Sequence, residues 1–228
     1  MTGNSLSAGV VIQIGPLTIG STVLTTWGVM VLLISAAWII KRNLQANPNL
    51  PQSAVESIIV VIESAVKDVL PQHSKEVMPF IASLWIFLVI ANLIGLIPSL
   101  HSPTRDLSAT SALALLVFIS VHWFGIRTKG LKSYLGHYLK PSPLLLPFHL
   151  ISEVTRTLAL AIRLFGNMMS LEMAALLILL VAGFVAPIPI LMLHIIEALI
   201  QAYIFGMLAL IYIAGGIQSQ QIGNHKKE

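Results

Sequence analysis

Residues 148–185 read FHLISEVTRTLALAIRLFGNMMSLEMAALLILLVAGFV, 38 positions without a proline and with Arg163 near the middle. At 1.5 Å per residue, a helix of that length extends about 57 Å, nearly twice the ~30 Å hydrocarbon core of a bilayer. An upright helix does not fit, and the common tilt of about 20° still leaves excess length. Ala186-Pro187-Ile188-Pro189 marks a turn, and 190–217 returns as a second long apolar run. The stretch therefore predicts two long, strongly tilted helices lying side by side as a hairpin; a break near Gly166 is the competing picture. A charged side chain at mid-membrane costs roughly 2.5–3.5 kcal/mol on insertion scales. Arginine does not escape by losing its proton. Arg163 therefore needs a partner or a task.

Outward from this stretch, the chain has the composition of a polytopic membrane protein. Of its 228 residues 56% are hydrophobic and 10% charged, less than half the charge of an ordinary soluble domain. The net charge of +4 is small and scattered, which argues against nucleic-acid binding. With no cysteine, disulfides, thiolate metal sites and cysteine nucleophiles are excluded. Residues 1–20 are expected to form a short external lead, with the first membrane helix as its own targeting signal. Membrane helices are expected at 23–40, 78–97 and 108–125. Between the first two, 52–70 alternates Val55, Ile58, Ile59, Ile62, Val66 and Val69 with Glu56, Glu63, Lys67 and Asp68, the pattern of an amphipathic interfacial helix. The expected fold is all-α: one membrane domain of about five membrane-embedded helices plus this amphipathic helix. Ten of the 13 basic residues lie in 41–75, 127–140 and 226–227. The positive-inside rule then puts the N-terminus outside and the C-terminus in the cytoplasm.

The polar residues of the long helices fall into groups. On a 100° wheel Glu153, Arg156, Arg163, Asn167 and Ser170 share one side, whereas Glu172, nine positions after Arg163, points about 180° away. In the returning helix His194, Glu197 and Gln201 are spaced i, i+3, i+7 and form a second stripe. An arginine thus stands between two sets of protonatable residues. Asn92 and Asp106 are candidates for bracing or for the ion path. His122, Trp123, Tyr134 and Tyr138 read as interface anchors. A di-metal bundle wants Glu-x-x-His on two helices, and the order around His149, Glu153, His194 and Glu197 is different, so no metal or other cofactor is expected.

Arg163-Leu-Phe-Gly-Asn167, then Glu172, then His194 with Gln201 seven residues on, closely resembles subunit a of the F-type ATP synthases, bacterial type. The likeness extends to Pro143–Pro147 and Asp106–Thr110 and covers most of 20–217. It implies an ion-translocating stator subunit in a bacterial inner membrane. Its partners would be a c-subunit ring, peripheral-stalk b subunits, the remainder of the complex and the surrounding lipid bilayer. By the same likeness Arg163 is the essential arginine, and Asn167, Glu172, His194 and Gln201 lie along the path of protons or sodium ions. Two departures stand out: Arg156, where several members have lysine, and the extra acid Glu197.

The bare residues leave two other readings open, a stand-alone secondary transporter and a membrane scaffold. The first lacks any internal repeat. No phosphate-cradling glycine loop or hydrolase motif is present, so the chain is expected to be a non-catalytic subunit, with nucleotide chemistry elsewhere.

Overall fold

The computed structural model describes residues 10–14, 17–43, 50–97, 102–130, 146–183 and 188–218. It is helical throughout apart from a short hairpin at the start, and five of its helices are long and apolar enough to cross a membrane. The helices are α1 (Ser21–Arg42), α2 (Leu50–Val69), α3 (Ser74–Leu93), α4 (Leu107–Lys129), α5 (Leu146–Ala182) and α6 (Ile188–Gln218). The expected anchors Tyr134 and Tyr138 and the motif 143–145 lie outside the described residues.

The described part of the lead is a hairpin. β1 (Val10–Ile14) pairs antiparallel with β2 (Leu17–Gly20), Ile14 opposite Leu17. The β-branched residues Val10, Val11, Ile12, Ile14, Thr18 and Ile19 favour this extended pairing.

The two glycines of the decisive stretch behave differently. Gly166 lies inside an unbroken α5, whose 37 residues make a rod of about 56 Å. Gly183 ends it: at φ 79° it takes the left-handed conformation that closes many helices, so α5 stops at Ala182 rather than Val185. Pro189 falls in the first turn of α6, where its missing N–H has no helical partner to lose.

α3 and α6 form the centre of the core. Val77, Ile81, Leu84, Trp85 and Leu88 of α3 are buried against Ala202, Phe205, Ala209, Leu210 and Ile213 of α6. Small residues on the α6 face, Ala198, Ala202, Gly206 and Ala209, let the two backbones approach closely. Trp85 occupies that seam. Its indole Nε1 donates to the Tyr203 carbonyl at 3.2 Å, and its ring stacks on the Tyr203 ring with centroids 5.8 Å apart. α4 adds Ala114 and Val117, and α5 contributes Leu160, Ala161 and Leu164. α2 buries Ile62 and Val66 and exposes Val60 and Val61, with Glu63 and Lys67 paired at 2.7 Å on its outer side.

Asp106 starts α4. Its Oδ1 accepts from the Ser108 N–H at 3.0 Å, and its Oδ2 accepts from the Thr22 hydroxyl at 3.0 Å, which ties the N-terminus of α1 to that of α4. Burial disfavours the carboxylate, but the Ser108 and Thr22 hydrogen bonds and the Arg105 charge outweigh it and hold the carboxyl below its ordinary value. A depressed folded pKa means that this stabilisation is present above the ordinary carboxylate range and is lost as pH falls through the lower folded value. Asp106→Ala is expected to cost about 1 kcal/mol, the usual worth of an N-cap. Thermal unfolding in detergent should show the gap between wild type and variant at pH 7 and show it closing in strong acid.

Candidate functional site

Polar side chains within the membrane helices gather at four levels along α5. In the middle stands Arg163. Leu160, Ala161 and Leu164 turn into the bundle, whereas Ile162 and Arg163 are exposed. Among the described residues no acid or carbonyl pairs with the Arg163 guanidinium. Ala159, Gly166 and Ser170 are exposed on the same face, at i−4, i+3 and i+7. A Cβ added to Gly166 would meet nothing within 4 Å. The cation is therefore bordered by small side chains on a surface open to a neighbour.

One turn along from Arg163, Asn167 and Gln201 join the two long helices: Asn167 Nδ2 donates to Gln201 Oε1 at 2.6 Å. Gln201 Nε2 and His194 Nε2 are both buried with no hydrogen-bond partner among the described residues. His194 is only 3% exposed and Gln201 2%, so both side chains lie inside the protein. Buried polar atoms without a partner are costly, so they are few in folded proteins. Asn167→Ala should leave Gln201 wholly unpaired. Its expected cost is about 1–3 kcal/mol, read as a lower midpoint of unfolding in detergent.

Farther along, about 13 Å from Arg163 at helical rise, Glu172 meets Arg105 at 2.5 Å. His194 lies within electrostatic reach of Glu172 and Glu197. Asn92 and Asp106 each hydrogen-bond to neighbouring elements. Asn92 Nδ2 donates to the Ala198 carbonyl at 3.2 Å and its Oδ1 accepts from Thr104 at 2.8 Å, which fastens α3 to α6 and to the following turn.

In the other direction, about 15 Å from Arg163, Glu153 faces His122 of α4, with His122 Nε2 3.4 Å from the carboxylate. The Arg156 guanidinium lies 5.8 Å from the centre of the Tyr212 ring. These groups line a cavity of about 350 Å³ between α4, α5 and α6, together with His149 and Ser152. His122, expected as an interface anchor, thus lines this cavity. The wheel placed Glu153, Arg156 and Arg163 on one stripe; Arg156 and Arg163 are both exposed in the structure, and only Glu153 departs. Arg163 faces outward while Glu153 is half-buried, because α4 packs along the first turns of α5 and takes that end of the stripe inward.

The residue that sequence reasoning missed is Arg105. Its signal was there: it is the single basic residue in a loop that the charge rule assigns to the outside, and such an exception calls for a local acid. Its partner lies 67 positions away, beyond any periodicity.

A family model described as ATP synthase A chain matches residues 23–214. The chain belongs to that family. A relative from Pelobacter propionicus, ATP synthase subunit a 2, is 63% identical over 216 residues, 95% of each chain. ATP synthase subunit a 1 of Hahella chejuensis is 59% identical over 94% of this chain and 92% of its own. ATP synthase subunit a of Legionella pneumophila is 57% identical over 92% of each. Membership makes this chain the ion-translocating stator subunit of a bacterial Fo sector, a multi-pass inner-membrane protein within an F-type complex.

Proposed function

We propose that this subunit offers two half-channels to the carboxylates of a c-subunit ring, with Arg163 as the electrostatic divider between them. The observation that carries this reading is the exposed guanidinium, unpaired among the described residues, on a strip of small residues at the middle of α5. A permanent cation in that position calls for an anion from another chain. A ring carboxylate crossing lipid must be neutral, and one passing Arg163 is favoured as the anion, because a nearby opposite charge stabilises the charged form. It gives up its ion on one side of the arginine and reloads on the other. The same fixed charge repels a cation seeking a direct route.

The two polar levels flanking Arg163 support separate entrances. The cavity at Glu153, Arg156 and His122 lies where α4 ends and α5 begins, toward the end of α4 that carries Arg127, so it suits the cytoplasmic side. Glu172, His194, Glu197 and Arg105 lie toward the opposite face, with Asn167 and Gln201 leading inward. Each unit charge moved through 100 mV delivers about 2.3 kcal/mol, the work that turns the ring in either direction. The N-terminus is then outside and the C-terminus cytoplasmic, and b subunits hold the stator against the rotor.

The chain's lack of cysteine makes a direct test clean. Single cysteines at Ile162, Gly166 and Ser170 should form disulfides with cysteines on the ring helix. Cysteines at the buried Leu164 and Met168 should not. Equal cross-linking from both sets, or none from the first, would sink the docking face.

A further inference from the structure

Arg105 is held more firmly than a loop residue needs to be. The turn Pro103–Arg105 follows Ser102, and both Ser102 and Thr104 are buried. The Ser102 hydroxyl donates to the Ala91 carbonyl at 2.8 Å, and Thr104 donates to Asn92, which in turn bonds to the Ala198 carbonyl. On its other flank Asp106 caps α4 and binds Thr22. Arg105 therefore projects from a base bolted to α1, α3, α4 and α6. Gly95, in the short turn Ile94–Leu96 that follows α3, keeps the approach tight: a Cβ there would stand 3.0 Å from Ser102 Cβ and 3.7 Å from Glu172 Oε1.

The geometry of the pair is asymmetric. The Glu172 side chain is 16% exposed and that of Arg105 37%, so the guanidinium stands on the wetter side of the carboxylate. It holds Oε2, and Oε1 is turned toward Gly95. The other charged or titratable groups are His194 on α6, within electrostatic reach of both Glu172 and Glu197, and Asp106 beside Arg105 in the chain.

We propose that Arg105 is a positioning residue of the ion path: its guanidinium competes with the travelling cation for Glu172, so that an ion arriving there also leaves readily. This rests on the assignment of Glu172 to a half-channel. A carboxylate with no such competitor would bind the cation more tightly and release it more slowly. Conduction needs binding that is favourable enough to enter and weak enough to leave.

The test uses the whole complex in proteoliposomes, with the cation titrated on the Glu172 side, as pH and separately as sodium chloride at fixed pH. In Arg105→Ala the cation concentration giving half-maximal flux should fall about three-fold or more, the scale of a partly exposed ion pair, and the maximal flux should drop. Arg105→Lys should restore the wild-type half-saturation, and Arg105→Ala should add no further shift in a Glu172→Gln background. A purely structural role would lower the amount of assembled complex or the maximal flux and leave half-saturation unmoved. That result in Arg105→Ala, or in Arg105→Gln should the alanine variant not assemble, overturns the proposal. Glu172→Gln separates the two levels: wild-type flux with an unchanged profile removes the half-channel assignment and this proposal with it. An impaired Glu172→Gln beside a silent Arg105→Ala removes this proposal alone.

Discussion

Arg163→Ala is expected to abolish ATP-driven ion pumping while the subunit still inserts and assembles. The guanidinium is exposed and makes no pair among the described residues of its own chain, so its removal costs the fold little, within about 0.5 kcal/mol as for ordinary surface changes. Function is another matter. Without a fixed cation, nothing drives a ring carboxylate to ionise between the two half-channels, and nothing repels an ion moving straight from one to the other. Pumping should fall by roughly two orders of magnitude or more, the scale of losing one preorganised charge from a low-dielectric site. Passive leak through the membrane sector should rise. Arg163→Lys keeps the charge but swaps a broad planar donor for a flexible, strongly hydrated point charge, so it should rescue poorly. Fluorescence quenching in inverted vesicles reads pumping, and ion uptake after F1 removal reads leak. Retained pumping in a fully assembled Arg163→Ala complex would falsify the divider role.

The largest effect on the fold is expected at Gly206. A Cβ there would stand about 2 Å from the Trp85 indole nitrogen, with Cδ1 and Cε2 of the same ring close behind. The rigid indole cannot swing away without surrendering its bond to the Tyr203 carbonyl and its stack on the Tyr203 ring. Overpacking costs about 1–3 kcal/mol and the lost hydrogen bond about 0.5–1.5 kcal/mol more. Gly206→Ala should therefore destabilise by about 2–4 kcal/mol, and Gly206→Leu should prevent accumulation of the subunit. Unfolding midpoints in detergent and immunoblots of the membrane fraction check both. A compensating Trp85→Ala should recover part of the Gly206→Ala loss, since it vacates the contested space. Failure of that suppression would place the defect somewhere other than this seam.

Much of the molecule could be read from one dimension because the bilayer imposes a one-dimensional rule. A stretch of apolar residues longer than the hydrocarbon is thick must tilt or break, so 148–185 and 190–217 announce two long elements before any contact is known. The 3.6-residue period likewise marks 52–70 as two-faced, and short-range spacing puts His194, Glu197 and Gln201 on one side of a helix. The Arg-Leu-Phe-Gly-Asn segment pointed to the family for the same local reason.

Periodicity, however, says which residues share a face and never what that face meets. Only the packing of α4 and α6 against α5 turned Glu153 toward His122 and a cavity, left Arg163 at the surface, and brought Asn167 to Gln201. Only the fold carried Arg105 across 67 residues to Glu172. Gly183 ended a helix that Gly166 did not, although both are single glycines in apolar runs. The lead folded into a hairpin whose β-branched residues were visible but whose pairing was not. Helix length and amphipathicity are set by local transfer free energies, which each residue carries with it. Ion pairs and cavities depend on distances between distant segments, and those exist only once the chain has packed.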